Sequence, residues 1–363
     1  MNDSSARHAA RGTEREADEG GHVTDPSGRS LAEQHDALLL DLDGTVYLGG
    51  RVIDHVAESV ARAEELGSRP MYVTNNASRP PAEVAHALAA MGIAATEDAV
   101  LTSPQAAAEM LSEAHSAGTV VLVVGAPWLA EAVRLAGLQP VRLAAENPAA
   151  VVQGHSPDTG WRELAEACIA LRQGADWVAC NTDSTLPTDR GLLPGNGAMV
   201  AALVAATGLH PRVAGKPERP LLDAAVHRAG STTPLVVGDR LDTDIEAGVA
   251  AGLPSLLVLT GVTSVADLLV APLHRRPTHV SLDLRGLVEP ALAVRVSGDA
   301  DTRGWRVADG ELAAPGGLNG SDPDDGQALA ALAALTGAAW SGTTTFTPAG
   351  DAAERVLARF GLH

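Results

Sequence analysis

Cysteine is nearly absent from this chain of 363 residues: there are 2, Cys168 and Cys180, in neither metal-site nor redox-pair spacing. That excludes a disulfide scaffold and fits a reducing compartment in which both thiols are small buried hydrophobes. No apolar run approaches the about 18 residues that a membrane helix needs. Behind the first charges there is no apolar stretch of the secretory kind, so the expectation is a soluble, cytoplasmic protein. Positive charge is also scarce: 26 Lys and Arg stand against 45 Asp and Glu, a formal net charge of −19. This lacks the basic footprint that nucleic acid or an anionic membrane requires of a partner. Scarcest of all is lysine, since Lys216 is the sole exception among otherwise arginine-only basic positions. A lone ammonium kept there points to work that a guanidinium cannot do, with chance survival as the alternative.

What is present is a body with 45% hydrophobic residues and a mean hydropathy of +0.06, long enough for two domains or one domain with a large insertion. Its organising stretch is Ala37 to Leu40, an apolar run without alternation that ends in Asp41-Leu42-Asp43-Gly44-Thr45. Such a run suits a parallel strand buried on both faces, and ligands of open α/β sheets sit beyond the carboxyl ends of the strands. Carboxylates as close as Asp41 and Asp43 repel unless they share a proton or a hard cation, typically Mg2+; an Asx turn is the bland alternative.

Three further segments repeat that design. Pro70 to Val73 ends in Thr74-Asn75-Asn76, which offers a hydroxyl and backbone N–H groups to a phosphoryl oxygen, although the same tripeptide is ordinary turn chemistry. Val213-Ala214-Gly215-Lys216-Pro217 delivers the single lysine, and Pro234 to Gly238 runs into Asp239-Arg240-Leu241-Asp242-Thr243-Asp244. Helices are expected at 56–66, closed by Gly67, at about 81–91, and from about Ser103. Neither Gly125-Ala126-Pro127 nor Pro194-Gly195-Asn196-Gly197 makes a G-x-G-x-x-G dinucleotide loop.

Asp41-Leu42-Asp43-Gly44-Thr45-Val46, Val73-Thr74-Asn75-Asn76, Lys216-Pro217 and Gly238-Asp239 with Thr243-Asp244 together resemble the four motifs of the haloacid dehalogenase (HAD) superfamily of aspartate-nucleophile phosphatases. The resemblance implies an α/β fold: a Rossmann-like core with a parallel sheet, an inserted α/β cap, and a small α+β C-terminal appendage. The expected division is a disordered tail at 1–34, the core at 35–114 and 210–290, the cap at 115–209, and the appendage at 291–363. A large α/β cap in this position resembles subfamily IIA, the branch of NagD-type nucleotide phosphatases, p-nitrophenyl phosphatases, phosphoglycolate phosphatases and pyridoxal phosphate phosphatases. Within that branch the C-terminal region is similar to one carried by actinobacterial glycerol 3-phosphate phosphatases. It has no pyrophosphate loop for acetyl transfer, so a structural or oligomerisation role is expected for it.

For residues, the resemblance implies Asp41 as nucleophile, Asp43 as general acid and base, and Lys216 bridging nucleophile and phosphate. It implies Thr74 and Asn75 as phosphate-binding residues, and Mg2+ held by Asp41, the backbone carbonyl of Asp43, Asp239 and Asp244. In the cap, Asn181 to Gly195 resembles the loop that covers the active site, making Ser184, Thr185 and Leu186 candidates for the non-phosphate end of the substrate; Asp183 and Asp189 read equally as turn formers. The second aspartate and the acids for a metal favour a phosphatase over a dehalogenase, and the lack of membrane helices excludes the superfamily's membrane ATPases. The expected partner is a small phosphate ester, most simply glycerol 3-phosphate, without nucleic acid or membrane, and a homo-oligomer is compatible with this. Nucleotide, phosphoglycolate or sugar phosphate hydrolysis, and a non-catalytic binding or regulatory role, are the alternatives.

Overall fold

The structure, a computed structural model, describes residues 28–188, 190–316, 318 and 322–362. Residues 1–27 of the expected tail and Asp189 therefore lie outside the described residues. The tail expectation fails at its C-terminal end: Leu31–Gln34 is a turn of helix whose cap, Ser30, exchanges hydrogen bonds with Glu33, and Leu31 and Ala32 are buried.

A seven-stranded sheet forms the body, in the order Ala293–Arg295, His279–Ser281, Ser255–Val258, Pro234–Gly238, Ala37–Leu40, Arg69–Thr74, Val100–Thr102. All neighbours run parallel except Ala293–Arg295, which lies antiparallel to His279–Ser281. Every residue of Ala37–Leu40 is buried, as its unbroken apolar pattern requires of a strand with neighbours on both sides and helices over both faces. The chain leaves this strand toward Arg69–Thr74, then returns to its other side with Pro234–Gly238. The strand order thus reverses around Ala37–Leu40, and a crevice opens where the strands end at Leu40, Thr74 and Gly238.

Five parallel strands make the second sheet, in the order Arg212–Val213, Asp176–Ala179, Ala150–Gln153, Val120–Val124, Gln139–Val141. Arg212–Val213 belongs to this sheet, past the boundary expected at 209. The segment read from sequence as a cap loop contains an antiparallel hairpin, Thr185–Thr188 with Gly191–Pro194. The second sheet shares buried packing with the first. Val121, Val123, Val152 and Val178 of the second sheet, with Cys180 just past the strand Asp176–Ala179, share one buried cluster with Leu39, Met71 and Val73 of the first, joined through Ala106, Ala107 and Leu111 of the helix Ser103–Ala114.

In the C-terminal region, expected to be a small α+β appendage, the first strand belongs to the core sheet. Ala293–Arg295 is the edge strand there, and Arg306–Ala308 pairs with Glu311–Ala313. The helix Asp325–Trp340, buried along most of its length, is apolar because it is packed from several sides. It shares a cluster with Leu257 and Leu268 of the core and with Leu241 and Ile245, which flank the acidic segment at 242–244. Trp340 donates its indole N–H to the Leu268 carbonyl at 3.0 Å, and the Arg276 guanidinium lies 4.6 Å from the centre of its ring. Among the described residues no helix is long and apolar enough to cross a membrane.

Candidate active site

Asp41 is the first residue past the central strand, and its N–H still donates to the Val237 carbonyl at 2.8 Å, so the strand ladder fixes where its side chain starts. Asp239 follows the neighbouring strand, and Asp244 lies in the helical turn Leu241–Ile245 that comes next. One carboxylate oxygen from each of Asp41, Asp239 and Asp244 lies within 4.8 Å of the others. Backbone crowds in to hold them. Val262 N–H donates to Asp239 Oδ2 at 2.7 Å and Thr45 Oγ1 to Oδ1 at 3.4 Å. Arg240 N–H donates to Asp244 Oδ2 at 3.1 Å. A Cβ on Gly44, which has φ of +91°, or on Gly261 would come within 2.5 Å or 2.0 Å of Asp239 Oδ2, so neither position admits a side chain.

Into this acidic cluster reaches Lys216, 3% exposed, with all three ammonium hydrogens engaged: Asp41 Oδ1 at 2.5 Å, Asp244 Oδ1 at 2.7 Å and the Val73 carbonyl at 3.1 Å. Burial would push the ammonium down, but Asp244 and Asp41 outweigh it and hold Lys216 charged well above its ordinary range. Three carboxylates against one cation leave an excess of negative charge. Burial, opposed by Lys216 and reinforced by Asp244 and Asp239, pushes Asp41 well up. Burial and then Asp244 push Asp239 from 3.8 to about 6.

Such a triad of buried oxygen donors with surplus charge fits a hard divalent cation, and Asp41, Asp239 and Asp244 are the side chains that would hold it. The Asp43 side chain lies outside the triad. It lines a cavity of about 200 Å³ with Tyr47, Thr74, Asn76 and Arg79, above an apolar floor that includes Val84 and Met91. Burial raises Asp43 against the pull of Lys216 and Arg79. Thr74 is 4% exposed, and its Oγ1 accepts the Asn76 N–H at 3.1 Å, leaving the hydroxyl hydrogen to point elsewhere.

Not every expected residue arrives here. The Asn75 side chain is spent on the Lys216 peptide and Asp183, so what it can offer a phosphoryl group is its main-chain N–H. Thr185 and Leu186 stand in the cap hairpin opposite Pro194 and Leu193, and the Ser184 carbonyl accepts from Gly195 N–H. None of the three is among the residues lining the cavity beside Asp43. Sequence reasoning missed Tyr47, Arg79, Thr260, which ties its loop to the Gly44 carbonyl at 2.6 Å, and the Val262 N–H. For Arg79 a signal was available, an arginine in a strand-end loop just ahead of Pro80-Pro81 in a chain short of cations.

Comparison with known proteins gives the family. Residues 38–139 match the haloacid dehalogenase-like hydrolase family and residues 213–287 the HAD-hydrolase-like family. The chain is 49% identical over 316 residues to D-glycerol 3-phosphate phosphatase of Mycobacterium tuberculosis, covering 86% of this chain and 88% of that one. The chain belongs to the haloacid dehalogenase-like hydrolases. As a member of that family it is also 37% identical over 241 residues to the 5'-nucleotidase YutF of Bacillus subtilis, covering 65% of this chain and 93% of that one. Among solved structures, glycerol phosphate phosphatase of M. tuberculosis in complex with magnesium superposes with a TM-score of 0.83 at 46% identity, covering 92% of this chain and 99% of that one. The p-nitrophenyl phosphatase of Archaeoglobus fulgidus gives 0.66 at 30% identity, covering 70% of this chain and 99% of that one.

The surplus charge makes a thermodynamic prediction for the metal-free protein. Between pH 3.8 and about 6 the folded chain keeps on Asp239 a proton that the unfolded chain has released. Stability therefore falls as pH rises through that window, by up to about 3 kcal/mol from this group, and stays low above it. Because Mg2+ favours the ionised triad, it should raise Tm more near pH 7 than near pH 5. Thermal melts with and without Mg2+ at both pH values check this, and a shift as large at the lower pH would contradict it.

Proposed function

We propose that this hydrolase is a Mg2+-dependent phosphomonoesterase that works through an aspartyl phosphate on glycerol 3-phosphate. The observation carrying the reaction class is the Asp41 carboxylate held 2.5 Å from the Lys216 ammonium, beside Asp239 and Asp244, at the carboxyl end of the central strand. The substrate reading rests on the extent of likeness. The M. tuberculosis phosphatase matches over 316 residues and the solved glycerol phosphate phosphatase covers 92% of this chain, whereas the nucleotidase match accounts for 241 residues.

In this reading an oxygen of Asp41 attacks phosphorus as the bond to the leaving alkoxide breaks, with Lys216 favouring the ionised carboxylate against burial and holding it in place. Asp43, raised by burial and so able to arrive protonated, gives its proton to the leaving oxygen. It then takes a proton from the water that attacks phosphorus, the bond to Asp41 breaks, and phosphate and the original carboxylate are restored. The Thr74 hydroxyl, the Asn75 N–H and Lys216 hold the phosphoryl oxygens. A divalent cation on Asp41, Asp239 and Asp244 would neutralise charge on the phosphoryl group and offset the crowding of carboxylates.

The cavity beside Asp43 is where we put the leaving group, with Arg79 and Tyr47 as hydroxyl partners; Ser184, Thr185 and Leu186 of the cap, which do not line it, stay candidates only for parts of a substrate that reach beyond it. Arg79→Ala should raise KM about tenfold with kcat within about threefold, the loss of one charge-assisted hydrogen bond. A matching fall in kcat would place Arg79 in the chemistry instead. A cytoplasmic location fits the free thiols Cys168 and Cys180.

The deciding experiment is phosphate release, with and without Mg2+, from both enantiomers of glycerol phosphate, nucleoside monophosphates, phosphoglycolate and sugar phosphates. A stereoselective, Mg2+-dependent preference for one glycerol phosphate supports the reading. Equal weak activity on all would remove the substrate assignment, and no release at all would remove the reaction class.

A further inference from the structure

Contacts around Asn75 join the lysine of the active site to the cap. Its Oδ1 accepts the Lys216 N–H at 2.8 Å and its Nδ2 donates to the Lys216 carbonyl at 2.9 Å, so one amide grips the lysine's main chain on both sides. The same Nδ2 reaches Asp183 Oδ2 at 3.3 Å. The Asn75 carbonyl accepts from Asn181 Nδ2 and from Ser103 Oγ, both at 2.7 Å. Asn181 and Asp183 follow the cap strand Asp176–Ala179 and lead into the hairpin.

The returning arm of the hairpin is tied to the same place. Gly197 N–H donates to the Asp183 carbonyl and Gly195 N–H to the Ser184 carbonyl, each at 2.9 Å, and the buried Asn196 donates Nδ2 to the Asn181 carbonyl at 2.6 Å. Lys216 itself comes just after the last cap strand, Arg212–Val213. Between them, a Cβ on Gly215 would lie 2.5 Å from Asn75 Oδ1 and 2.6 Å from the Cys180 carbonyl, so this approach leaves no room for a side chain.

We propose that Asn75 is a positioning residue that makes the placement of the cap hairpin and the placement of the Lys216 ammonium a single event, with Asp183 as its anchor on the cap. The inference adds a route of control to the phosphatase reading and uses that reading only for its activity readout. Lys216 must meet Asp41, Asp244 and the Val73 carbonyl at once, and a long flexible side chain does so reliably only if its backbone is pinned. A leaving group that seats the hairpin well keeps Asp183 on Asn75 and the ammonium in register. One that lifts the hairpin loosens the grip on the Lys216 peptide, so the cap selects substrates through the lysine as well as by contact.

The test is a double-mutant cycle in the full chain with Mg2+ and the preferred ester. Asn75→Ala should lower kcat about 100-fold and Asp183→Ala about tenfold, the scale of a misplacement of about 1 Å. The double variant should be no slower than Asn75→Ala alone, because both act through one route. Asp183→Asn, whose amide oxygen still accepts from Asn75, should stay within about twofold of wild type. Effects that multiply to about 1,000-fold, or an Asp183→Ala enzyme equal to wild type, would overturn the proposal. If Asn75→Ala does not fold, the contrast between Asp183→Ala and Asp183→Asn decides alone: a tenfold loss restored by asparagine supports it, and equal activities overturn it. If the wild-type chain releases no phosphate, the function reading fails and the clasp is tested by hydrogen exchange instead. Exchange around Lys216 should then be about tenfold faster in Asp183→Ala than in wild type or Asp183→Asn, and unchanged exchange would overturn it.

Discussion

Asp41→Asn should reduce phosphate release by about 10⁴-fold or more, the scale on which removal of an attacking group is felt when the remaining machinery cannot substitute for it. The variant should nevertheless fold as well as the natural chain. Its amide oxygen can still accept from Lys216 Nζ, and one of three crowded negative charges is gone from a buried site carrying a single cation. Activity and Tm together make the test discriminating. Lost turnover with an unchanged or higher Tm in the absence of Mg2+ identifies a group that does chemistry. A large fall in Tm would mean that Asp41 is structural, and retained turnover would remove it as nucleophile.

Lys216→Met should instead fail in both respects, losing turnover and stability together. Methionine fills much the same volume but leaves Asp41 and Asp244, which share the ammonium at 2.5 Å and 2.7 Å, without a counter-charge in a nearly dry site. Removing one partner of a buried ion pair typically costs about 3–5 kcal/mol, and chemical denaturation without metal should show a loss of that order near pH 7. The loss should shrink as the pH falls, since burial already raises Asp41 and its protonation removes the conflict. A stability loss independent of pH would point to packing rather than charge. Arginine is no remedy, because a planar guanidinium cannot occupy a slot shaped for a compact ammonium with three convergent acceptors.

How far the sequence could be read depended on the physics of each element. Ala37–Leu40 and Pro234–Gly238 announced themselves because strands buried on both faces must be apolar throughout, and the abrupt arrival of Asp41 and Asp239 marked where they ended. Helices such as Pro81–Ala90 and Pro220–Ala229 were bounded by a proline at the first turn or a glycine just past the end. The short strands Gln139–Val141 and Arg212–Val213 had no such signature, and for Ala293–Arg295, legible as a short strand, nothing in the sequence named its partner His279–Ser281. A two- or three-residue strand at a sheet edge has too little sequence for a pattern and exists because a neighbour offers hydrogen bonds, so the cap and the core were both expected to end too early. The Leu31–Gln34 turn was lost in a polar surrounding for the same reason, its two buried residues making sense only against the core.

By itself the sequence determined which carboxylates end buried strands and which single position keeps an ammonium. These follow from local chemistry, since a strand buried on both faces admits charge only where it stops. Tertiary structure decided what each group faces. It turned the Asn75 amide onto the Lys216 peptide, directed Asp43 into a cavity with Tyr47 and Arg79, and packed the helix Asp325–Trp340 into the cluster that holds Leu241 and Ile245. Those outcomes depend on contacts between residues far apart in the chain, where direction and distance are set by how sheets and helices pack, and no spacing along the chain encodes them.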